Sequence, residues 1–549
     1  MTAPTTSPPA TGSPTRTTPT TSRRSLLAGG LVVAGATLLP AGWAQASPAA
    51  SAVSTAGGPL RAYPFTLGIA SGDPLPDGVV LWTRLAVDPL AADGFGGMPS
   101  RDIDLRYQVA TDDRFRRIVQ RGVVTARAAT AHTVHVELQG LEPGREYWYR
   151  FRLGAEFSPV GHTRTAPAVN TRGGALAMSF VSCAQYEHGY FTAYRRLAQD
   201  EPDLILHLGD YFYEYKANDY VAPSGNVRDA AGPETTDLAG YRQRHAQYKT
   251  DLDLQAAHAV APWIPVWDDH EVDNNWADEV PEDDESTAVF LRRRAAAFQA
   301  YYENMPLRTT SKPNGIDAQM YRRLQWGQLA TFHMLDTRQY RSDQASGDGV
   351  KPDSPERTDP RRSITGATQE RWLLDGLGAS RSTWDVIGQQ VFFAQSDFAA
   401  GPVEAYNMDA WDGYAASRDR LIHGGASRGV ANPVVLTGDI HSNWANELKA
   451  DFDDPHSKTF GVELVTTSIT SGGDGSEVPS FGPAVLAENP HIKYTNNRRG
   501  YVNTRITDGD LRADFRVVPY VSQPGAPVAT DASFVVDAGN PGLRRVATS

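Results

Sequence analysis

Residues 203–215 read DLILHLGDYFYEY, and the stretch changes character at Gly209. The first part is an apolar run typical of a buried strand, whereas the second part places one aspartate, Asp210, among aromatic rings. In open α/β sheets, ligands bind in the crevice outside the carboxyl ends of the strands. The stretch therefore predicts a buried strand that delivers Asp210 and Tyr213 to a ligand site.

Several other apolar runs, from residue 176 onward, are also followed directly by polar residues. The polar residues placed in this way are Cys183, Asp268, Asp269, His270, Asp336, Asp439 and His441. One acidic residue after a strand is usually a helix cap, but the whole set indicates a metal site. Carboxylates and amides prefer hard cations, while thiolate, phenolate and imidazole ligands also accommodate iron.

Two patterns of secondary structure divide the chain. Residues 64–168 contain short alternating strands separated by turn residues, which is typical of a small β-sandwich. Its segment LEPGREYWYRFR (141–152) resembles the late strands of fibronectin type III modules. From residue 175 onward, buried strands alternate with amphipathic stretches such as 189–203, which predicts an α/β domain over 175–549.

The N-terminus resembles an export signal. SRRSLL (22–27) precedes a moderately apolar run that ends in AQAS (44–47), as in secretory signals of the twin-arginine type. A membrane anchor is the alternative, but Gly and Ala dilute the run and Pro40 interrupts it. We therefore expect a disordered leader and signal peptide over 1–46, a linker over 47–63, and secretion or cell-wall association through the twin-arginine export machinery.

Composition and missing motifs exclude several function classes. The net charge of −12 over 549 residues provides no basic footprint for nucleic acid, and no membrane span remains after signal cleavage. The GxxxxGK[ST] motif is absent, so a P-loop enzyme has no support. The single cysteine, Cys183, excludes an intrachain disulfide, and a bound metal would explain an unpaired thiol in an exported protein.

Five motifs closely resemble those of the PhoD-type alkaline phosphatases, which belong to the metallophosphoesterase superfamily. The motifs are SCAQYEHG (182–189), GDYFYEY (209–215), VWDDHEVDNNWA (266–277), MLDTRQYRSDQ (334–344) and TGDIHSNW (437–444). The resemblance implies a sandwich of two β-sheets flanked by helices, preceded by a small fibronectin/Ig-like β-sandwich. It also implies two kinds of cation, Fe³⁺ and one or two Ca²⁺, and hydrolysis of phosphate esters outside the cytoplasm.

Carried over by motif, the resemblance implies a role for eight residues, and the position of Arg338 two residues after Asp336 suggests one for that arginine. Asp210 would bridge the cations, and His270 would contact the transition state or protonate the leaving group. Arg338 would clamp a phosphate oxygen, although a surface salt bridge is equally consistent with the sequence. The implied metal ligands are Cys183, Asp210, Tyr213 and His441 for iron, and Asp269, Asp439 and Asn275 for the second cation, with Asn274 as the alternative to Asn275. Asp269 and Asp439 replace the superfamily's asparagine and histidine, which favours calcium over zinc.

The resulting hypothesis is a secreted, metal-dependent phosphoesterase that attacks its substrate with a metal-bound hydroxide. We expect an alkaline phosphatase that hydrolyses monoesters and also diesters of a small molecule, a phospholipid or a wall polymer. One alternative is a phosphodiesterase of the phospholipase D activity class. The other is a noncatalytic exported binding protein, against which the complete ligand set argues.

Overall fold

The computed structural model describes residues 53–55, 58–60, 62–282 and 285–548. The predicted signal peptide, 1–46, and most of the predicted linker lie outside these residues. Within the described part of the chain, none of the helices combines the length and apolar character that a membrane crossing requires.

Short strands come first in the chain, and all but the first two, which pair with each other, form two layers around one apolar cluster. They are β1 (Val53–Thr55), β2 (Gly58–Leu60), β3 (Ile69–Leu75), β4 (Gly78–Arg84), β5 (Ile103–Ala110), β6 (Ile118–Ala126), β7 (Thr133–Glu137), β8 (Glu146–Leu153), β9 (Glu156–Phe157) and β10 (Gly161–Arg164). One layer has the order β10–β8–β5–β6, with β9 beside β8, and the other contains β3–β4–β7. Leu81, Leu105 and Phe151 belong to the cluster that both layers share.

Strands and helices alternate in the rest of the chain, which confirms the mixed α/β prediction. The helices are α1 (Thr192–Gln199), α2 (Leu238–Lys249), α3 (Leu252–Val260), α4 (Thr287–Asn304), α5 (Gly366–Ala379), α6 (Ala415–Ser427) and α7 (Gly482–Glu488). The strands are β11 (Ala175–Val181), β12 (Leu204–Leu208), β13 (Trp263–Val266), β14 (Arg322–Trp326), β15 (Ala330–Met334), β16 (Val350–Pro352), β17 (Trp384–Gly388), β18 (Ala405–Asn407), β19 (Pro433–Thr437), β20 (Asn443–Lys449), β21 (Thr459–Val465), β22 (Gly475–Ser476), β23 (Ile492–Thr507), β24 (Asp510–Val518), β25 (Ala529–Asp537) and β26 (Asn540–Val546).

The long strand β23 takes part in two sheets. Its second half pairs with β11, as in the pair Val502–Phe180, in the order β13–β12–β11–β23–β24–β25–β26. Its first half pairs with β20, as in the pair Asn496–Asn443, in the order β14–β15–β17–β19–β21–β20–β23. The strands β11, β12 and β13 are mutually parallel, and so are β15, β17, β19 and β21.

Alternation along the central strands assigns each side chain to a layer. Val386 and Val434 belong to the inner apolar cluster that both sheets share. Their neighbours Ile387 and Val435 belong to an outer cluster with side chains of α5 and α6. Because successive residues of a strand point to opposite faces, strands covered on both sides read as continuous apolar runs. Burial of each large aliphatic side chain stabilises the fold by about 1.5–3 kcal/mol. The buried runs therefore determine where the strands end and the polar loops begin.

Candidate active site

The loops after β11, β12, β13 and β19 meet at one edge of the two sheets. Ser182 makes a parallel bridge to Ser468, and a side chain at Gly438 would come within 2.7 Å of the Ser182 Cβ. Gly209 has φ +112°, and a Cβ there would lie 2.4 Å from that of Asp268. The loops enclose a pocket of about 260 Å³. Its lining residues are Asp210, Tyr215, Tyr220, Asp269, His270, Asn274, Asn275, Asp439 and His441.

Several of these loop residues have left-handed backbone conformations. The non-glycine residues of the site with positive φ, between 46° and 61°, are Cys183, Asp210, Asn275, Asp439 and His441. Such conformations cost of order 1–3 kcal/mol each and persist only where the surroundings enforce them. The amides of Cys183 and Ala184 enforce two of them, because they donate to the carbonyls of Gly209 and Asp210 at 3.1 and 2.9 Å. The strain lies where the predicted ligands lie, which indicates a site selected for function.

The four residues predicted to bind iron come together. Ligand atoms of Cys183, Asp210 and His441 lie within 4.8 Å of one another. The Tyr213 hydroxyl lies 2.9 Å from Asp210 Oδ2 and 3.0 Å from His441 Nε2. Ser471 joins the group, because its Oγ lies 2.7 Å from the Tyr213 hydroxyl and 3.0 Å from the Cys183 carbonyl.

A second, acidic group adjoins the first. Carboxylate oxygens of Asp268, Asp269 and Asp439 lie within 4.8 Å of one another, and Asp269 forms an overlapping group with Asp210 and His270. The Asn275 amide nitrogen donates to Asp269 at 2.8 Å, while its side chain donates to an exposed carboxylate of the rim. Asn275 thus holds Asp269 in place through its backbone, and it is one of the residues that line the pocket.

Several carboxylate oxygens of the two groups are buried and lack the hydrogen bonds that would stabilise them. Asp210 Oδ1, Asp268 Oδ2 and Asp269 Oδ1 are buried without a hydrogen-bond partner among the described residues. Burial, with repulsion from neighbouring carboxylates, raises the pKa of Asp210 and Asp439, and burial raises the pKa of Asp268 to about 7. Unpaired buried carboxylates cost free energy unless they coordinate a metal. The donor set therefore fits cations.

The thiol and the phenol of the first group respond to burial in the same way. Burial and the nearby Asp210 carboxylate raise the pKa of Cys183 and of Tyr213 well above their usual values. Burial and the cationic Arg499 lower the pKa of His441 to about 3, which leaves its imidazole neutral and able to act as a ligand. A cation would reverse the first two shifts, because a coordinated thiol is deprotonated outright.

Arg338 lies beneath the acidic group and is fully buried, so it does not form a surface salt bridge. Its Nε donates to Asp268 at 2.6 Å and its Nη1 donates to Asp409 at 2.9 Å. Only Nη2 has no hydrogen-bond partner, and it lies 3.7 Å from Asp269 and 3.9 Å from Asp439. A bidentate clamp on phosphate is therefore not available in this arrangement, because both forked edges of the guanidinium face protein carboxylates.

Asp336 does not enter the pocket. Its carboxylate accepts hydrogen bonds from the amides of Arg338 and Gln339, each at 3.0 Å, and from the Gln339 side chain. It caps the loop that carries Arg338, which is the ordinary role of an aspartate after a strand.

His270 has a carboxylate partner that the sequence reasoning did not assign. Its Nδ1 lies 2.8 Å from Glu214, which also accepts from the amide of Asn274 at 3.0 Å. Burial lowers the pKa of His270, but the charges of Glu214, Asp269 and Asp210 outweigh it and raise the pKa well above its usual value. The ring is thus held in its charged form at the pocket, where it can donate a proton.

Further residues that support the site were also missed. They are Glu271, whose carboxylate accepts from the amides of Asp210, Tyr211 and Asp268, together with Asp409 and Ser471. Asp268 was among the candidate residues but was given no ligand role. Glu214, Asp268 and Glu271 stand inside motifs quoted above, so an acidic neighbour of an assigned residue was the available signal. Asp409 and Ser471 lie in other loops, and no local pattern marks them.

Most of this chain matches known proteins. Residues 176–515 match the family model described as PhoD-like phosphatase, and residues 50–167 match its N-terminal domain. Alkaline phosphatase D of Bacillus subtilis (strain 168) is 51% identical over 490 residues, covering 89% of this chain and 84% of that protein. A solved structure titled "Structure of PhoD" has a TM-score of 0.87 at 51% identity, covering 89% of this chain and 93% of that one. This chain belongs to the PhoD-like phosphatase family and is a hydrolase of phosphate esters.

Proposed function

We propose that this protein is an exported alkaline phosphatase that uses bound cations to hydrolyse phosphate monoesters and, more slowly, diesters. The observation that carries the proposal is the set of three buried, unpartnered carboxylate oxygens on Asp210, Asp268 and Asp269 around one pocket. The name of the Bacillus subtilis relative supports the activity. Residues 22–47 support export through the twin-arginine machinery, to the cell exterior or the wall.

The two donor groups differ in chemistry, and we assign a different cation to each. Cys183, Asp210, Tyr213 and His441 offer thiolate, carboxylate, phenolate and imidazole, a mixture that suits Fe³⁺. Asp269 and Asp439, with Asp268 and the side-chain oxygen of Asn275, offer only oxygen, which suits one or two Ca²⁺. Asp210 lies close to Cys183 and His441 on one side and to Asp269 and His270 on the other. Its carboxylate would therefore be shared by the two cation sites.

The chain's own residues then have separate tasks in hydrolysis. Bound cations would supply the positive charge that polarises the phosphoryl group and acidifies an attacking water. His270 would donate a proton to the leaving group, and Glu214 orients its ring through Nδ1. Arg338 would neutralise part of the acidic group from beneath, which is a positioning role rather than contact with substrate.

We propose the finer fold assignment on similar grounds. The two sheets that share β23, with helices on their outer sides, correspond to the metallophosphoesterase sandwich over 175–549. The two layers of β3–β10 correspond to a fibronectin/Ig-like module over 64–168. The separate family matches to 50–167 and 176–515 support this division.

Replacing Tyr213 by phenylalanine tests the iron assignment without relying on turnover. The iron-loaded wild type is expected to absorb visible light through its phenolate ligand, and Tyr213→Phe should lose that band and retain less iron on dialysis. Tyr220→Phe is the matched control, because Tyr220 lines the same pocket and packs its ring 6.1 Å from that of Tyr213, but it is not one of the proposed iron ligands. A band of unchanged intensity in Tyr213→Phe would remove Tyr213 from the ligand set.

The activity itself is tested by turnover of an aryl phosphate monoester and of the matching bis-aryl diester, with calcium present and then chelated. We expect calcium-dependent hydrolysis with the monoester preferred. A strong diester preference would support the phospholipase D activity class instead. Absence of turnover on both esters, in protein shown to contain iron, would support a noncatalytic binding role.

A further inference from the structure

The outer face of the N-terminal sheet carries four arginines in adjacent positions. Arg106 of β5 lies directly opposite Arg152 of β8, and the next row places Arg121 of β6 and Arg150 of β8 on either side of Gln108. The alternate residues of these strands are buried in the cluster between the two layers, so the four arginines face outward. We call these four residues the arginine face.

The arginine face has no acidic partners within the described residues. None of its members takes part in an ion pair; Arg150 donates to Gln108 at 2.8 Å and Arg152 to the Gly154 carbonyl at 2.8 Å. The guanidinium of Arg150 also lies 4.4 Å from the centre of the Phe157 ring. The carboxylate nearest in sequence, Asp104, accepts from the Thr125 hydroxyl at 2.6 Å.

This arrangement opposes folding. Like charges directly opposite each other on neighbouring strands are destabilising, and this chain, with 64 acidic residues, offers many possible partners for its cations. Positions that break a local rule without compensation are expected at functional sites. The guanidinium group also binds phosphate oxygens through two parallel hydrogen bonds, which an ammonium group cannot do.

We propose that the arginine face binds an extended anionic polymer that carries phosphate groups at regular intervals. Rows two residues apart on a strand lie about 7 Å from one another, and neighbouring strands lie about 5 Å apart, so the face offers a grid of phosphate-binding positions. The cations lie on a flat sheet rather than on an amphipathic helix that inserts into lipid. The site is separate from the pocket and would hold a polymer while the protein acts.

The test measures binding of the full-length protein to long-chain inorganic polyphosphate, and because the pocket is unchanged in the variants, differences in binding report on the arginine face. The double variant Arg106→Gln/Arg152→Gln should bind about tenfold or more weakly at low salt, with a shallower dependence of affinity on salt. The control is Arg361→Gln/Arg544→Gln, which makes the same charge change at two exposed arginines that pair with Asp359 and Asp537. The control should bind like wild type.

Three results would overturn the proposal: no measurable binding by the wild type, an equal loss in the control variant, or a preference for anionic lipid vesicles over polyphosphate. Hydrolysis of an aryl phosphate monoester should be the same in all three proteins. That reaction depends only on the pocket. If the wild type does not hydrolyse the ester, the proposed function is wrong, and the binding measurement still tests the polymer site.

Discussion

Asp210→Asn is expected to abolish catalysis and, at the same time, to stabilise the metal-free protein. Asp210 contributes an oxygen to two of the three donor groups, so its loss disturbs the binding of both cations. Removing charge stabilisation at the reacting centre typically costs 10²–10³ in kcat, and we expect roughly 10³ or more here. The measurement is kcat/KM for an aryl phosphate monoester, alongside the iron and calcium content of the purified variant.

The opposite effect on stability follows from the surroundings of the same carboxylate. Asp210 Oδ1 has no hydrogen-bond partner among the described residues, and burial together with Asp269 and Asp268 raises its pKa. A carboxyl group with a raised folded-state pKa destabilises the fold fully above that pKa and not at all below its unfolded pKa, about 3.9. Asparagine removes the charge and still accepts the Tyr213 hydroxyl, so we expect a gain of about 1 kcal/mol or more at pH 7.

Urea unfolding of the chelated proteins measures this gain, and Asp336→Asn is the matched control. Asp336 is equally buried after a strand, but its carboxylate is satisfied by the loop that it caps. Burial raises the pKa of Asp336 as well, but both of its oxygens accept hydrogen bonds, and the NH₂ group of an asparagine would face one of those donors. That variant should therefore be less stable than the wild type whether or not metals are present. If chelated Asp210→Asn were less stable than the chelated wild type, the buried charge of Asp210 would not destabilise the metal-free fold. That result would argue against Asp210 as a cation ligand.

The contrast between these two aspartates shows how far the sequence could go. An apolar run followed by Asp is the same local pattern at 208–210 and at 334–336, and only the three-dimensional neighbours distinguish a ligand from a cap. The short strands predicted within residues 64–168 and the amphipathic helix predicted near 189–203 are present in the structure, because burial periodicity within one element is a local property. The strands β25 and β26 were not predicted individually, since they alternate weakly at the edge of a sheet.

The partners that the sequence did not reveal were missed for one physical reason. Ser471 meets Tyr213 across 258 residues, and Asp409 meets Arg338 across 71, so no spacing rule connects them. Arg338 was placed near the site correctly by its motif, but its orientation depends on which carboxylates surround it. Charge compensation in a buried site is a property of the folded neighbourhood, whereas motif reasoning assigns one residue at a time.

His270→Gln is expected to reduce kcat/KM by a factor that grows as the leaving group worsens. A general acid contributes about 10²–10⁴ to the rate, and its contribution is largest when the departing oxygen is most basic. We therefore expect a small loss with a nitrophenyl ester and a loss of about 10³ with an alkyl phosphate. The measurement is the slope of log kcat/KM against the leaving-group pKa, which should be steeper in the variant.

Glu214→Gln extends this test to the partner of His270. Loss of the carboxylate removes the charge that keeps the pKa of His270 raised, so the ring loses its proton at lower pH and the alkaline limb of the rate profile moves to lower pH. The expected loss in rate is about 10–100-fold, the usual effect of removing an orienting partner. His333→Gln is the control, because His333 is also buried and lies 3.0 Å from a carboxylate, Asp385, outside the pocket.

A loss in His270→Gln that is equal for every leaving group would show that His270 contacts the phosphoryl oxygens instead of protonating the departing one.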